Sequence, residues 1–149
     1  MTKNPSFFPN KIIIACDHAG YEMKEFLKTK LLKQDFEIVD LGCQSSEKSV
    51  DYPDYAKKLC QNLKGEFGIL ICGSGIGVSI AANRFKHIRA ALCYNVSLAK
   101  KARAHNNANV ICLGSRYISN NVALKIVKSF LSEKFEGNRH ESRVKKLCQ

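Results

Sequence analysis

A cysteine at the end of an apolar run, followed by alternating glycines, is the most reactive arrangement in this chain. The stretch Ile69-Leu-Ile-Cys-Gly-Ser-Gly-Ile-Gly77 reads as a buried strand that runs into Gly73, Gly75 and Gly77 and then into a helix. Glycines let backbone N–H groups crowd around an anion, and a helix start adds positive potential. Cys72 sits at the lip of that loop, and thiols so placed carry more of the reactive thiolate. A thiolate facing a ring of N–H donors suits one task. It can remove a proton next to a carbonyl while the donors hold the resulting oxyanion. Two common glycine loops fail on spacing. No Gly-Lys-Ser/Thr follows, and position 78 is Val where a dinucleotide fingerprint needs glycine. The residues also allow a plainer reading, a close-packed turn beside one more buried thiol.

Other polar groups fall where a ligand would meet them. Asp17-His18 closes the first apolar run. It is placed either to touch a ligand or, through Asp17, to cap the helix that follows. Arg139 and Arg143 are four residues apart on one predicted helix face, with His140 beside Arg139. Positive charge in a first helical turn opposes the dipole, and a bound anion such as a sugar phosphate offsets that cost. A solvated basic tail is the alternative. His105-Asn106 ends a helix that starts near the carboxyl edge of the sheet. That helix finishes near the opposite edge, far from Cys72. If His105 is catalytic, it serves a neighbouring subunit's site; otherwise it interacts with its own helix dipole. His87 sits in a basic turn and receives no role.

The elements that position these groups alternate in type. Strands are predicted over Lys11–Cys16, Phe36–Asp40, Phe67–Cys72, Arg89–Cys93 and Asn109–Leu113. Helices are predicted over Tyr21–Gln34, Pro53–Leu63, Ile76–Asn83, Ser97–His105, Asn120–Glu133 and Arg139–Leu147, the last with Asn138 as N-cap. Short, near-continuously apolar strands separated by helices imply β-α-β units, a parallel sheet and helices on both faces. The fold class expected is a single-domain, doubly wound, Rossmann-like α/β/α sandwich on a five-stranded parallel sheet. Ligands in such folds bind beyond the carboxyl ends of the strands.

Bulk composition narrows the class further. A chain of 149 residues with 45% apolar content suits one domain with a real core. Residues 1–10 read as a short extension without the apolar run of a signal peptide, and 11–149 as the domain. No stretch approaches the roughly 18–20 apolar residues of a membrane span. The net charge of +11 invites a nucleic-acid reading, but the 24 basic residues are dispersed and lack interleaved aromatics. The seven cysteines include no C-x-x-C pair, which removes zinc-finger spacing and fits reduced thiols in a cytosol. No cofactor or metal is implied.

Several segments in order carry a family resemblance: C-D-H-A-G (16–20), D-Y-P-D-Y-A (51–56), I-L-I-C-G-S-G-I-G-V-S-I-A-A-N (69–83), H-N-N-A-N-V (105–110), L-G-S-R (113–116) and E-G-N-R-H-x-x-R-V (136–144). Over about residues 11–147 the chain resembles ribose-5-phosphate isomerase B, in the superfamily that includes the galactose-6-phosphate isomerase subunits. The resemblance implies reversible conversion of ribose 5-phosphate to ribulose 5-phosphate through a cis-enediolate. It makes Cys72 the proton-transferring residue, Ser74 an assisting hydroxyl, and the Gly73–Val78 amides the anion hole. It links Asp17 and His105 to opening of the furanose ring. It puts His18, Arg116, Arg139, His140 and Arg143 around the phosphate, with Tyr52 and Asn106 lining the site. It also implies a homodimer or tetramer whose sites are shared between subunits. A six-carbon sugar phosphate is the rival substrate, and a non-catalytic sugar-phosphate binding module the rival class.

Overall fold

The computed structural model describes residues 9–149. Most of the predicted extension, residues 1–8, lies outside the described residues. The chain forms β1 (Lys11–Cys16), a single 3-10 turn (His18–Gly20), α1 (Tyr21–Leu32), β2 (Glu37–Asp40), α2 (Tyr52–Asn62) and β3 (Phe67–Cys72). It continues through α3 (Ile76–Ala82), β4 (Ala90–Leu92), α4 (Val96–Asn106), β5 (Val110–Gly114), α5 (Asn120–Ser132) and α6 (Arg139–Leu147). All strand pairings are parallel, in the order β2-β1-β3-β5-β4. This is the expected α/β/α sandwich.

Successive strand side chains point to opposite faces, so each strand feeds two cores. Ile12, Ile14, Ile69, Ile71, Ile111 and Leu113 pack under α1, α4 and α5, against Leu27, Ala99 and Phe130. Ile13, Leu70, Cys72, Val110 and Cys112 face α2 and α3, against Leu59, Val78 and Ala82. This division matters for function. β1 and β5, the two neighbours of β3, send their following helices to one face, while β3 sends α3 to the other. The chain therefore parts on both sides of the β3 loop, which leaves a crevice there, where ligands of such sheets bind.

Many element ends shift by a residue from expectation, and three departures have a visible cause. α1 stops at Leu32 because Asp35 takes a left-handed conformation (φ 63°) and Phe36 N–H returns to the Leu31 carbonyl at 3.3 Å. β4 is three residues long because Asn109 captures its start: the Asn109 side chain accepts from Arg89 N–H at 2.7 Å. Asn138 precedes α6 but its side chain makes no cap; its amide donates to the Glu136 carbonyl at 3.3 Å instead.

A charged cluster fastens the β2 end of the sheet. Lys24, fully buried, donates to Asp40 at 2.6 Å and Glu25 at 3.0 Å, and Lys28 reaches Asp40 at 2.8 Å. Asp40 also accepts from Gly42 N–H at 2.9 Å, and the Gly42 carbonyl accepts from Cys16 N–H at 2.7 Å. This chain of bonds ends one residue before Asp17. Among the described residues, no helix is long and apolar enough to cross a membrane.

Candidate active site

The β3 loop is built by close approach. Gly75 adopts φ +78°, a left-handed conformation open to glycine. A Cβ there would also meet Leu92 at 2.5 Å and the Leu113 backbone at 2.9 Å. Three backbone bonds tie this loop to its neighbours. Asp17 N–H donates to the Ile71 carbonyl at 3.2 Å, Ser115 N–H to the Cys72 carbonyl at 2.9 Å, and Arg116 N–H to the Gly73 carbonyl at 3.0 Å. Ser115 Oγ further donates to the Ala19 carbonyl at 2.7 Å, bridging the β5 and β1 loops. The three carboxyl ends form one surface.

On that surface Cys72 is 4% exposed, and its Sγ accepts from Gly75 N–H at 3.1 Å. Ser74 Oγ accepts from Ile76 N–H at 3.2 Å. The Arg116 guanidinium lies against Gly73, where a Cβ would fall 2.8 Å from Nη1. The Tyr52 ring covers Gly77 in the same way, at 2.6 Å. Asp17 performs the capping role considered from sequence: Oδ1 accepts from Ala19 and Gly20 N–H at 3.0 and 3.2 Å. Its Oδ2 takes no part in that cap. His18 Nδ1 accepts from Val50 N–H at 3.1 Å, so the neutral ring carries its proton on Nε2. Asp17, His18, Tyr52, Cys72, Gly73, Ser74, Gly75, Gly77 and Arg116 thus come together.

The remaining residues gather elsewhere. His105, Asn106, His140 and Arg143 line a cavity of about 310 Å³ with Val144 and Leu147. The His105 and His140 rings stack at 4.2 Å with planes 14° apart. The Asn107 carbonyl accepts from Arg89 Nε at 2.7 Å, just before β4 begins, so the end of α4 lies at the amino edge of the sheet. This is the edge opposite Cys72. Arg139 is exposed in the first turn of α6 and does not line the cavity. Burial, then the neighbouring His105 and Arg139, push the His140 pKa below its ordinary value. Among the described residues, His140 Nε2 is buried without a hydrogen-bond partner.

Glu136, to which sequence reasoning gave no role, lies 3.8 Å from His105 and 3.6 Å from His140. The ligand atoms of these three residues fall within 4.8 Å of one another, a spacing that can hold a metal. Lys101 Nζ lies 3.4 Å from His105 Nε2, and Arg139 and Arg143 stand nearby. That charge favours an anion over a cation.

A model of the ribose/galactose isomerase family matches residues 12–147. The chain belongs to that family. Relatives agree along its length. A putative sugar phosphate isomerase of Rickettsia bellii is 48% identical, over 91% of this chain and 96% of that protein. Ribose-5-phosphate isomerase B of Escherichia coli is 41% identical over 92% and 93%. Among solved structures, a ribose 5-phosphate isomerase from Thermotoga maritima aligns with TM-score 0.89 at 51% identity, covering 92% of this chain and 96% of that one. The Mycoplasma genitalium ribose-5-phosphate isomerase B, with bound ribulose 5-phosphate, aligns with TM-score 0.86 at 42% identity, covering 93% of each. Members of the family thus share this fold nearly end to end.

Proposed function

We propose that this chain interconverts ribose 5-phosphate and ribulose 5-phosphate by proton transfer. The observation that carries the reading is Cys72, seated at the mouth of the β3 crevice with a loop amide directed at its sulfur. The ligand of the Mycoplasma genitalium relative supports the same substrate. In the forward direction Cys72, as thiolate, takes the proton from C2 of the open-chain aldose. Within the Gly73–Val78 segment, the backbone amides other than those of Gly75 and Ile76, which are engaged by Cys72 Sγ and Ser74 Oγ, stabilise the enediolate oxygen, as preorganised donors do. The proton returns at C1, while the O2 proton passes to O1, with the Ser74 hydroxyl beside these oxygens. Asp17 and His105 serve ring opening. His18, Arg116, Arg139, His140 and Arg143 hold the phosphate, and Tyr52 and Asn106 line the sugar. No step requires a metal or cofactor.

The His105 group stands at the wrong edge for its own Cys72, so we assign it to a second copy's site. Exposed Ile76, Ile80, Leu98 and Tyr117 supply apolar surface for that contact. The assembly is a homodimer, or a tetramer of such pairs, with shared sites. We assign the enzyme to the cytoplasm. All seven cysteines are free, and the Cys16 and Cys43 sulfurs, 3.9 Å apart, share a thiol hydrogen bond rather than a disulfide.

The test is proton NMR of ribose 5-phosphate with the protein in D2O and EDTA. Formation of ribulose 5-phosphate with deuterium entering at the exchanged carbon supports the reading. Turnover that EDTA abolishes and a divalent metal restores overturns proton transfer by Cys72. A higher kcat/KM on allose or galactose 6-phosphate overturns the five-carbon assignment.

A further inference from the structure

Tyr94 follows β4 and belongs to none of the motifs that mark this family in the chain. Its hydroxyl donates to the Ser74 carbonyl at 2.7 Å. That carbonyl and the Gly75 N–H belong to one peptide unit. A trans peptide is planar, with its C=O and N–H pointing in opposite directions. The other end of this unit, Gly75 N–H, points at Cys72 Sγ from 3.1 Å. The Tyr94 hydroxyl and the Cys72 sulfur are therefore the two ends of a single bonded relay through one peptide plane.

Such a plane needs fastening. Gly75 can adopt either sign of φ at little cost, so rotation of the Ser74–Gly75 peptide meets no barrier from its own residue. One wall is present: the Ser74 carbonyl lies so close to β5 that a Cβ on Gly114 would sit 2.5 Å from its oxygen. Tyr94 supplies the directional bond on that carbonyl. Its ring is held in turn by an edge contact with Tyr117 at 6.0 Å between centroids. A hydrogen bond to the carbonyl also polarises the N–H at the far end, strengthening what it donates.

We propose that Tyr94 is a positioning residue for Cys72: its hydroxyl holds the Ser74–Gly75 peptide in the orientation that directs an N–H at the sulfur. The inference rests on Cys72 being the base only for its kinetic consequence; the sulfur's environment is testable without substrate. Tyr94→Phe removes the hydroxyl and keeps the ring against Tyr117.

Two readouts apply to the full-length protein. The first is alkylation of Cys72 by iodoacetamide at pH 7, followed by peptide mass spectrometry to separate it from the other cysteines. The second is the split between kcat and KM for ribose 5-phosphate. Thermal melting accompanies both. In Tyr94→Phe, the Cys72 alkylation rate and kcat should each change about five- to tenfold, the factor carried by one neutral hydrogen bond. Alkylation should slow, kcat should fall, and KM should stay within about twofold, since no substrate contact is lost. An unchanged alkylation rate overturns the proposal, whatever the kinetics. So does a loss confined to KM or to the melting temperature. If the wild type proves inactive on ribose 5-phosphate, slowed alkylation still upholds the positioning role, and only the substrate assignment falls.

Discussion

Replacing Asp40 by Asn tests the energetics of the scaffold behind the β1 loop. The change keeps an acceptor for Gly42 N–H but removes the charge facing Lys24, a fully buried ammonium. Removing one partner of a buried pair costs about 3–5 kcal/mol, because the other charge stays buried and uncompensated. Glu25 still reaches Lys24 at 3.0 Å, so the lower end, about 3 kcal/mol, is expected. For a domain of this size that lowers the melting temperature by about 6–12 °C. Urea unfolding should show a lower midpoint at an unchanged slope. Adding Lys24→Met to Asp40→Asn removes the stranded charge and should recover most of the loss.

The pH dependence has a definite sign. Burial alone would raise the Asp40 pKa, but hydrogen bonds from Lys24 and Lys28 overcome it and hold the carboxyl below its usual value. Such a group stabilises the fold above its unfolded value, about pH 4, and that contribution is lost as pH falls through the folded value. The gap between wild type and Asp40→Asn should therefore narrow below about pH 4. A loss under about 1 kcal/mol at neutral pH, or a double variant no more stable than the single, would refute the reasoning.

Cys72→Ser should fold normally and bind substrate while losing at least about a hundredfold in kcat, since serine is a far weaker base; undiminished turnover in a steady-state assay excludes Cys72 as the base. Arg143→Ala should raise KM with little change in kcat, as a phosphate contact acts on ground and transition states alike; a pure kcat loss contradicts that role. Inactive Cys72→Ser and His105→Ala chains, unfolded and refolded together, should regain about a quarter of wild-type activity through mixed dimers. Absence of any recovery argues against shared sites.

The alternation of elements was legible because each strand is a nearly unbroken apolar run, covered by helices on both faces. The strand order was not, since the placement of β4 outside β5 depends on pairings between residues far apart in the chain. Cys72 and its glycines were legible because the chemistry and the spacing sit in one segment. Tyr94 was not, because its role depends on a contact across twenty residues and an isolated tyrosine after a short strand carries no local signal. Lys24 shows the opposite masking. It lies three and seven residues before the buried Leu27 and Leu31, on their helix face, yet a lysine reads as surface until Asp40 is seen against it. Asn138 is a case where local propensity misled: it stands at the cap position with φ 50° and ψ −126°, so its side chain turns back to Glu136 rather than forward into α6.

The packing around the loop glycines also limits how this site can drift. Gly114 is walled by the Ser74 main chain, and Gly75 by the Leu113–Gly114 main chain beside Leu92 at a positive φ, so an added methyl at either meets backbone that cannot retreat. These two positions are frozen unless the strands themselves shift. Gly73 and Gly77 are instead walled by the exposed side chains of Arg116 and Tyr52. A methyl at either is admissible when its partner changes too. Substitutions at 73 and 116, and at 77 and 52, should therefore travel in pairs, so a library that varies one member of each pair alone would undercount the sequences this crevice accepts.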